Sequence, residues 1–198
     1  MNLNELKSNK FYINGQYVDN SSGKFIDVEN PTTEEIIAKF PSANEEDINK
    51  AVNAAYDAFP SWSNTSLDER IEYVRKLNEW IKEHSDDFDD IILKELGIPS
   101  HVGHDSQVGS QINNIDVYLE QVNNVDLEIP MEGGFVLREP LGVVASITPW
   151  NYPLGQIVQK VIPALLSGCT VVQKPATITP LTAYLFTKAI DEVGFPKG

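Results

Sequence analysis

Four consecutive segments near the carboxyl end constrain this chain most. Val143 to Ile147 is a short apolar run rich in β-branched residues, and Leu154 to Leu166 is an apolar helical stretch kinked or broken by Pro163. Thr170 to Gln173 is a second strand, and Thr182 to Val193 is another helix before the turn Gly194-Phe195-Pro196-Lys197-Gly198. A strand that returns parallel to its predecessor needs a crossover of about a dozen residues or more, usually a helix. Strand, helix, strand, helix at this spacing therefore predicts an α/β fold with a parallel sheet. Two parallel strands leave both edges bare and give helices too little to cover, so the sheet reads as incomplete, begun and cut short.

The residues before Val143 have a different character. Phe11-Tyr12-Ile13 and Gln16-Tyr17-Val18 flank Asn14-Gly15, a pair that tolerates positive φ at both positions and predicts a two-residue type I′ hairpin. A second strand pair, about Lys24 to Val28 and Glu35 to Phe40, is separated by the turn Asn30-Pro31-Thr32-Thr33. From Asn44 the period becomes helical, with Asp47 completing a cap, Ile48, Val52, Ala55 and Phe59 on one face, and Pro60 as the stop. Ser66 and Glu69 open a second helix with Ile71, Val74, Leu77 and Ile81 inward, and Trp62 and Trp80 are expected where the two helices meet. A third helix, near Phe88 to Leu96, ends at Gly97-Ile98-Pro99, and a fourth covers about Ser106 to Val122. Residues 125–138 alternate around Gly133-Gly134 and read as an exposed hairpin. The chain so divides into an arm with helices over 1–124, the hairpin over 125–140, and the start of the parallel sheet over 141–198.

With 29 acidic residues against 15 basic ones the formal charge is −14, which disfavours nucleic acid and anionic membrane as partners. The densest acidic run, Asp86-Asp87-Phe88-Asp89-Asp90, reads as a solvated helix face. No window approaches the roughly 18 apolar residues of a membrane span, and no apolar stretch follows the first charges of the N-terminus. A single cysteine, Cys169, excludes an internal disulfide and fits a reducing compartment, so cytoplasm is the expected location.

Chemistry concentrates in the loops after the two parallel strands, where ligands of open α/β sheets gather. Asn151 sits in Thr148-Pro149-Trp150-Asn151-Tyr152-Pro153, and the two prolines fix two φ angles around it. A rigid carboxamide suits a preorganised donor to a transient oxyanion; the alternative is a turn Asn bonding its own backbone. Lys174 follows directly on the second strand and can meet ribose hydroxyls or a phosphate, or simply mark the strand end. Lys160, on the apolar helix, either snorkels to solvent or, if buried, loses its proton and serves as base or relay. Cys169 opens a strand of small and β-branched residues and reads as a core thiol. His101 and His104 suggest a metal pair, but Gly103 lies between them and no third ligand is evident, so loop histidines and no metal are expected. The dinucleotide fingerprint G-x-G-x-x-G is absent.

Taken together, Arg138-Glu139-Pro140-Leu141-Gly142-Val143-Val144, Thr148-Pro149-Trp150-Asn151-Tyr152-Pro153-Leu154, Gly168-Cys169-Thr170-Val171-Val172 and Lys174-Pro175-Ala176 followed by Thr179-Pro180 resemble the aldehyde dehydrogenase superfamily in order and spacing. Tyr12-Ile13-Asn14-Gly15 and Asn30-Pro31-Thr32 are similar to its N-terminal arm, so the resemblance covers essentially the whole chain. It implies a Rossmann-like domain for NAD or NADP without the usual glycine fingerprint, and oxidation of an aldehyde to a carboxylate through a cysteine thioester. It places Asn151 as donor to the thiohemiacetal oxyanion and Lys160 in a proton relay found in some members. On the cofactor it places Ile147, Thr148, Pro149, Trp150, Lys174, Pro175, Ala176 and Thr177, with Lys174 and its neighbours at the adenosine ribose. The 125–138 hairpin resembles the family's oligomerisation arm, implying a homo-oligomer, dimer or tetramer.

Two departures from the family pattern matter. Thr177 stands where an acidic residue usually bonds the ribose and repels a 2′-phosphate, so NADP⁺ is expected to be tolerated or preferred. The family's nucleophilic cysteine and general-base glutamate lie downstream of the Lys-Pro motif, in segments this chain does not contain, and Cys169 is in the wrong place to substitute. The resemblance therefore implies the N-terminal portion of such an enzyme, inactive by itself; the alternative is a non-catalytic module that binds nucleotide or associates with subunits.

Overall fold

A computed structural model describes residues 6–99 and 103–198. Strands β1 (Phe11–Ile13) and β2 (Gln16–Val18) pair antiparallel, with Asn14 and Gly15 at φ of 53° and 71°, so the two-residue turn forms as its chemistry predicts. β3 (Phe25–Glu29) and β4 (Ile36–Pro41) make a second antiparallel pair, irregular at Val28/Glu29. Helices α1 (Glu45–Ser63), α2 (Leu67–Glu83) and α3 (Ser85–Leu96) follow. A π-helical turn, His104–Gly109, runs into α4 (Ser110–Gln121), and β5 (Glu128–Met131) and β6 (Gly134–Leu137) form an exposed antiparallel hairpin. Last come β7 (Val143–Ile147), α5 (Pro153–Leu166), β8 (Thr170–Lys174) and α6 (Leu181–Val193). β7 and β8 pair in parallel across the α5 crossover, giving two strands of a Rossmann-like sheet.

The first helix starts where its cap predicts. The Asn44 side chain accepts from the Asp47 N–H at 3.0 Å, and the Asp47 carboxylate accepts from the Asn44 N–H at 3.1 Å. Asp47 also accepts from the Ser21 N–H at 2.9 Å and the Ser21 hydroxyl at 2.8 Å, which ties the loop after β2 to α1. Burial opposes its charge, yet the hydrogen bonds from Ser21 and Asn44 together hold this carboxyl below its ordinary value.

That inward-held Asp47 sets the rotation of α1. Ala55 and Trp62 face the core with it, while Ile48 and Val52, expected inward, are turned out at 53% and 39% exposure. Pro60 does not stop α1, which continues to Ser63. The carbonyl that loses its partner to the missing proline N–H is that of Tyr56, on the exposed face of the helix. Pro163 likewise leaves α5 unbroken, the spared carbonyl being that of exposed Gln159.

α2 is the hub of the core, with Val74, Leu77 and Ile81 buried against α4, α5 and α6. Trp62 packs on Tyr73 of α2 at 5.8 Å between ring centroids, as expected. Trp80 does not join it: it stacks on His84, meets Phe88 of α3 edge-on, and its indole N–H donates to Glu192 of α6 at 2.8 Å. α1 lies against the β7–β8 pair, where the Thr170 hydroxyl donates to the Ala55 carbonyl at 2.8 Å. Among the described residues no helix is long and apolar enough to cross a membrane.

Candidate functional site

The parallel register fixes what stands beside what. Ile147 pairs with Lys174, so the segments leaving the two strands, 148–152 and 175–180, emerge side by side at the carboxyl edge. The Thr148 N–H donates to the Lys174 carbonyl at 3.1 Å and extends the ladder by one bond. The Gln173 carboxamide donates to the Thr148 hydroxyl at 3.1 Å, and the Thr179 hydroxyl donates to the Trp150 carbonyl at 3.4 Å. Ile147 and Thr148 thereby meet Lys174, and Trp150 meets Thr179. Lys174 belongs to β8 itself rather than following it.

Trp150 and Ile147 present large apolar surface, 52% and 64% exposed, beside the exposed Lys174 ammonium and Thr177 hydroxyl. Apolar area suits a base, and the ammonium suits ribose hydroxyls or phosphate. Lys174 Nζ donates to the Pro175 carbonyl at 2.9 Å, which keeps the charge over the loop. The residues present fit a nicotinamide dinucleotide.

Asn151 precedes α5 by two residues, and Pro153 takes the first helical position, which suits a residue without an N–H. The backbone around Asn151 is held from outside: the Gln107 carboxamide, on the π-helical turn, donates to the Asn151 carbonyl at 3.3 Å. Its own carboxamide is exposed and has no hydrogen-bond partner among the described residues, so it is not engaged as a turn Asn bonding its own backbone. Lys160 is half-buried and donates along its own helix to Gln156 Oε1 at 2.7 Å. No hydrogen bond among the described residues joins it to Asn151.

Cys169 lies at the opposite, amino end of β8, buried, accepting from the Ser167 hydroxyl at 3.6 Å. His104 pairs with Asp89, whose hydrogen bond and charge, joined by Asp105 and Asp86, hold the imidazole above its ordinary value. His101 lies outside the described residues. Among those described, no group of three or more His, Cys, Asp or Glu is placed to hold a metal ion. An open groove of ≈ 540 Å³ between the β1–β2 hairpin and α1, lined by Asn14, Asp47, Lys50 and Asn53, touches none of the edge residues.

Two supporting residues went unread in the sequence. Glu95 of α3, 3% exposed, accepts from the Leu181 N–H at 2.6 Å, the Thr182 N–H at 3.0 Å and the Thr182 hydroxyl. Burial raises its carboxyl to about 7, with the three hydrogen bonds pulling the other way. Its signal was present: Phe88, Ile91, Ile92 and Glu95 recur at helical spacing, which places an acid on the inward face. Gln107 carries no such signal, because a π-helical turn has no recognised sequence pattern.

The chain matches the aldehyde dehydrogenase family over residues 17–198. It is 36% identical over 195 residues to the D-glyceraldehyde dehydrogenase (NADP(+)) of Thermoplasma acidophilum, covering 96% of this chain and 39% of that protein. The lactaldehyde dehydrogenase of Escherichia coli K12 is 36% identical over 192 residues, covering 94% of this chain and 40% of that one. Among solved structures, the Bartonella henselae aldehyde dehydrogenase superposes with a TM-score of 0.93 at 37% identity, over 96% of this chain and 41% of the other. A variant of aldehyde dehydrogenase C from Pseudomonas syringae, complexed with NAD+ and octanal, gives 0.93 and 37% over 96% and 39%. The chain thus spans about two fifths of the length of these relatives.

Proposed function

This chain belongs to the aldehyde dehydrogenase family, and from that premise we propose that it is the N-terminal part of an NAD(P)-dependent enzyme oxidising an aldehyde to a carboxylate. The observation that carries the reading is the register that pairs Ile147 with Lys174, so that the segment with Trp150 and Asn151 leaves the sheet beside the segment with Thr177. The nicotinamide, when bound, supplies the hydride acceptor. Lys174 would hold the ribose, and Trp150 and Ile147 would offer apolar surface to the nucleotide. Asn151 donates its amide to the oxygen of the attacked carbonyl as negative charge gathers there.

Preorganisation is why the surrounding stiffness matters. A donor already aimed at the charge need not reorganise when the charge appears, and losing one such donor costs on the order of 3 kcal/mol of transition-state stabilisation. Two prolines, Gln107 on one carbonyl and Thr179 on the next restrain the Asn151 backbone. Lys160 is assigned to proton relay, with Gln156 as its resting partner.

Cofactor choice turns on Thr177. A neutral hydroxyl beside Lys174 lacks the charge that would repel a 2′-phosphate, so the site accepts NADP⁺ as well as NAD⁺. The one cysteine of the chain, Cys169, is buried at the amino end of β8 and is not the nucleophile, so this chain alone does not turn over aldehyde. The exposed apolar hairpin, with Met131, Phe135 and Leu137 outward, serves as the arm of a cytoplasmic homo-oligomer, dimer or tetramer.

Calorimetric titration of the chain with NAD⁺ and with NADP⁺ tests the cofactor reading. Saturable heat with both nucleotides is expected; heat equal to buffer dilution removes it. In the polypeptide continued through its catalytic segment, Asn151→Ala is expected to lower kcat about 100-fold.

A further inference from the structure

The six residues 175–180 carry the nucleotide contacts proposed above, and their course is set by what holds their two ends. One end is Lys174, fixed in the sheet by its pairing with Ile147 and by the Thr148 N–H on its carbonyl. The other is the first turn of α6. That turn lacks the usual local anchor: Pro180 occupies the cap position with no side-chain cap bond, and no acid lies in the first turn. By contrast, α1 and α2 are capped from their own sequence, by Asn44 and by Ser66.

The missing cap comes from another helix. Both oxygens of Glu95 accept backbone N–H groups of α6, from Leu181 and Thr182, and one also takes the Thr182 hydroxyl. A serine or aspartate at position 180 would reach only the Thr182 or Ala183 N–H, whereas Glu95 takes the Leu181 N–H as well. The borrowed cap adds a fixed distance between α3, packed in the core by Phe88, Ile91 and Ile92, and the end of the 175–180 loop. Because Thr179 donates to the Trp150 carbonyl, the same anchor reaches the segment that carries Asn151.

We propose that Glu95 is a positioning residue for the nucleotide site, setting the course of residues 175–180 by holding the first turn of α6 from α3. The inference rests on the reading of that loop as the nucleotide site. Glu95 touches neither substrate nor cofactor; it fixes the fraction of chains whose loop is ready to bind, and the apparent Kd rises as that fraction falls.

The test compares Glu95→Gln, Glu95→Asp and, as a core control of lowered stability that leaves the Glu95 hydrogen bonds in place, Leu77→Ala in α2. Glu95→Gln turns one acceptor into a donor facing a donor; Glu95→Asp keeps the charge but withdraws it by a methylene. Two quantities are read: amide hydrogen exchange at Leu181, Thr182 and residues 176–179 without nucleotide, and the Kd for NAD⁺ and NADP⁺ by calorimetry. Faster exchange confined to that segment, with Kd raised about tenfold in Glu95→Gln and less in Glu95→Asp, is expected, while Leu77→Ala leaves Kd within about twofold. If Glu95→Gln fails to fold, the same comparison of Glu95→Asp with Leu77→Ala decides, an unchanged Kd in Glu95→Asp overturning the inference. Exchange at Leu181 and Thr182 identical to wild type overturns it whatever the nucleotide does. So does an unchanged Kd in Glu95→Gln, or a Leu77→Ala chain that loses affinity equally. A wild-type chain that binds neither nucleotide removes the site reading and this inference together, an outcome distinct from the other four.

Discussion

Replacing Thr177 by glutamate places a negative charge where the family resemblance implies one, and the exposure of this edge sets the scale of the effect. Thr177 and Lys174 are both exposed, so their interactions run in a dielectric close to that of water. A carboxylate about 5 Å from a phosphate dianion at an effective dielectric of about 40–80 repels it by roughly 2–3 kcal/mol. A Debye length of about 8 Å at physiological salt lowers this to about 1–2 kcal/mol. Thr177→Glu should therefore weaken NADP⁺ by about five- to thirtyfold in Kd. NAD⁺ should hold or gain affinity, because a carboxylate accepts ribose hydroxyls better than a threonine does. Calorimetric titration of both nucleotides at low and high salt reads the two effects, and the NADP⁺ penalty should shrink as salt rises. A ratio of affinities that stays within twofold of wild type, or a penalty indifferent to salt, refutes the electrostatic account of Thr177.

Asp47 makes stability depend on acid. Its folded-state pKa lies below the unfolded value of 3.8, so the stability it contributes is present above that value and is lost as pH falls through the lower folded one. Melting temperatures from pH 6 to pH 2 should fall more steeply for wild type than for Asp47→Asn; parallel curves contradict the assignment. Phe88 is fully buried between α3 and the core, and Phe88→Ala should cost about 3–5 kcal/mol by urea unfolding. A loss under about 1 kcal/mol would mean that α3 is not anchored as described.

Local chemistry made much of the fold legible in the sequence. Asn14-Gly15 dictates its turn through positive φ, and Asn44 with Asp47 marks a helix start within four residues. The strand and helix periods of 143–193 likewise express a burial pattern that any such crossover shares. Long-range contacts explain where the reading failed. Ser21 pulls Asp47 inward, and no periodicity within α1 reports that bond, so Ile48 and Val52 were assigned the wrong face. Pro60 reads as a stop and Pro163 as a kink or break because each removes an N–H, but both helices continue past them. At the candidate site, the motif residues were visible and the register shows how they meet. What holds them was hidden: Glu95 reaches α6 from 86 positions away in the chain and Gln107 reaches Asn151 from 44 away.

The central claim is that a nicotinamide dinucleotide lies on the carboxyl edge of β7 and β8. Titrating isotopically labelled chain with NADP⁺ and following its amide and indole resonances locates the nucleotide directly. Saturable shifts should centre on Thr148, the Trp150 indole, Lys174 and Thr177, with Asn14 and Asn53 in the groove beside α1 unmoved. Shifts centred on that groove, or none at millimolar nucleotide, would contradict the account.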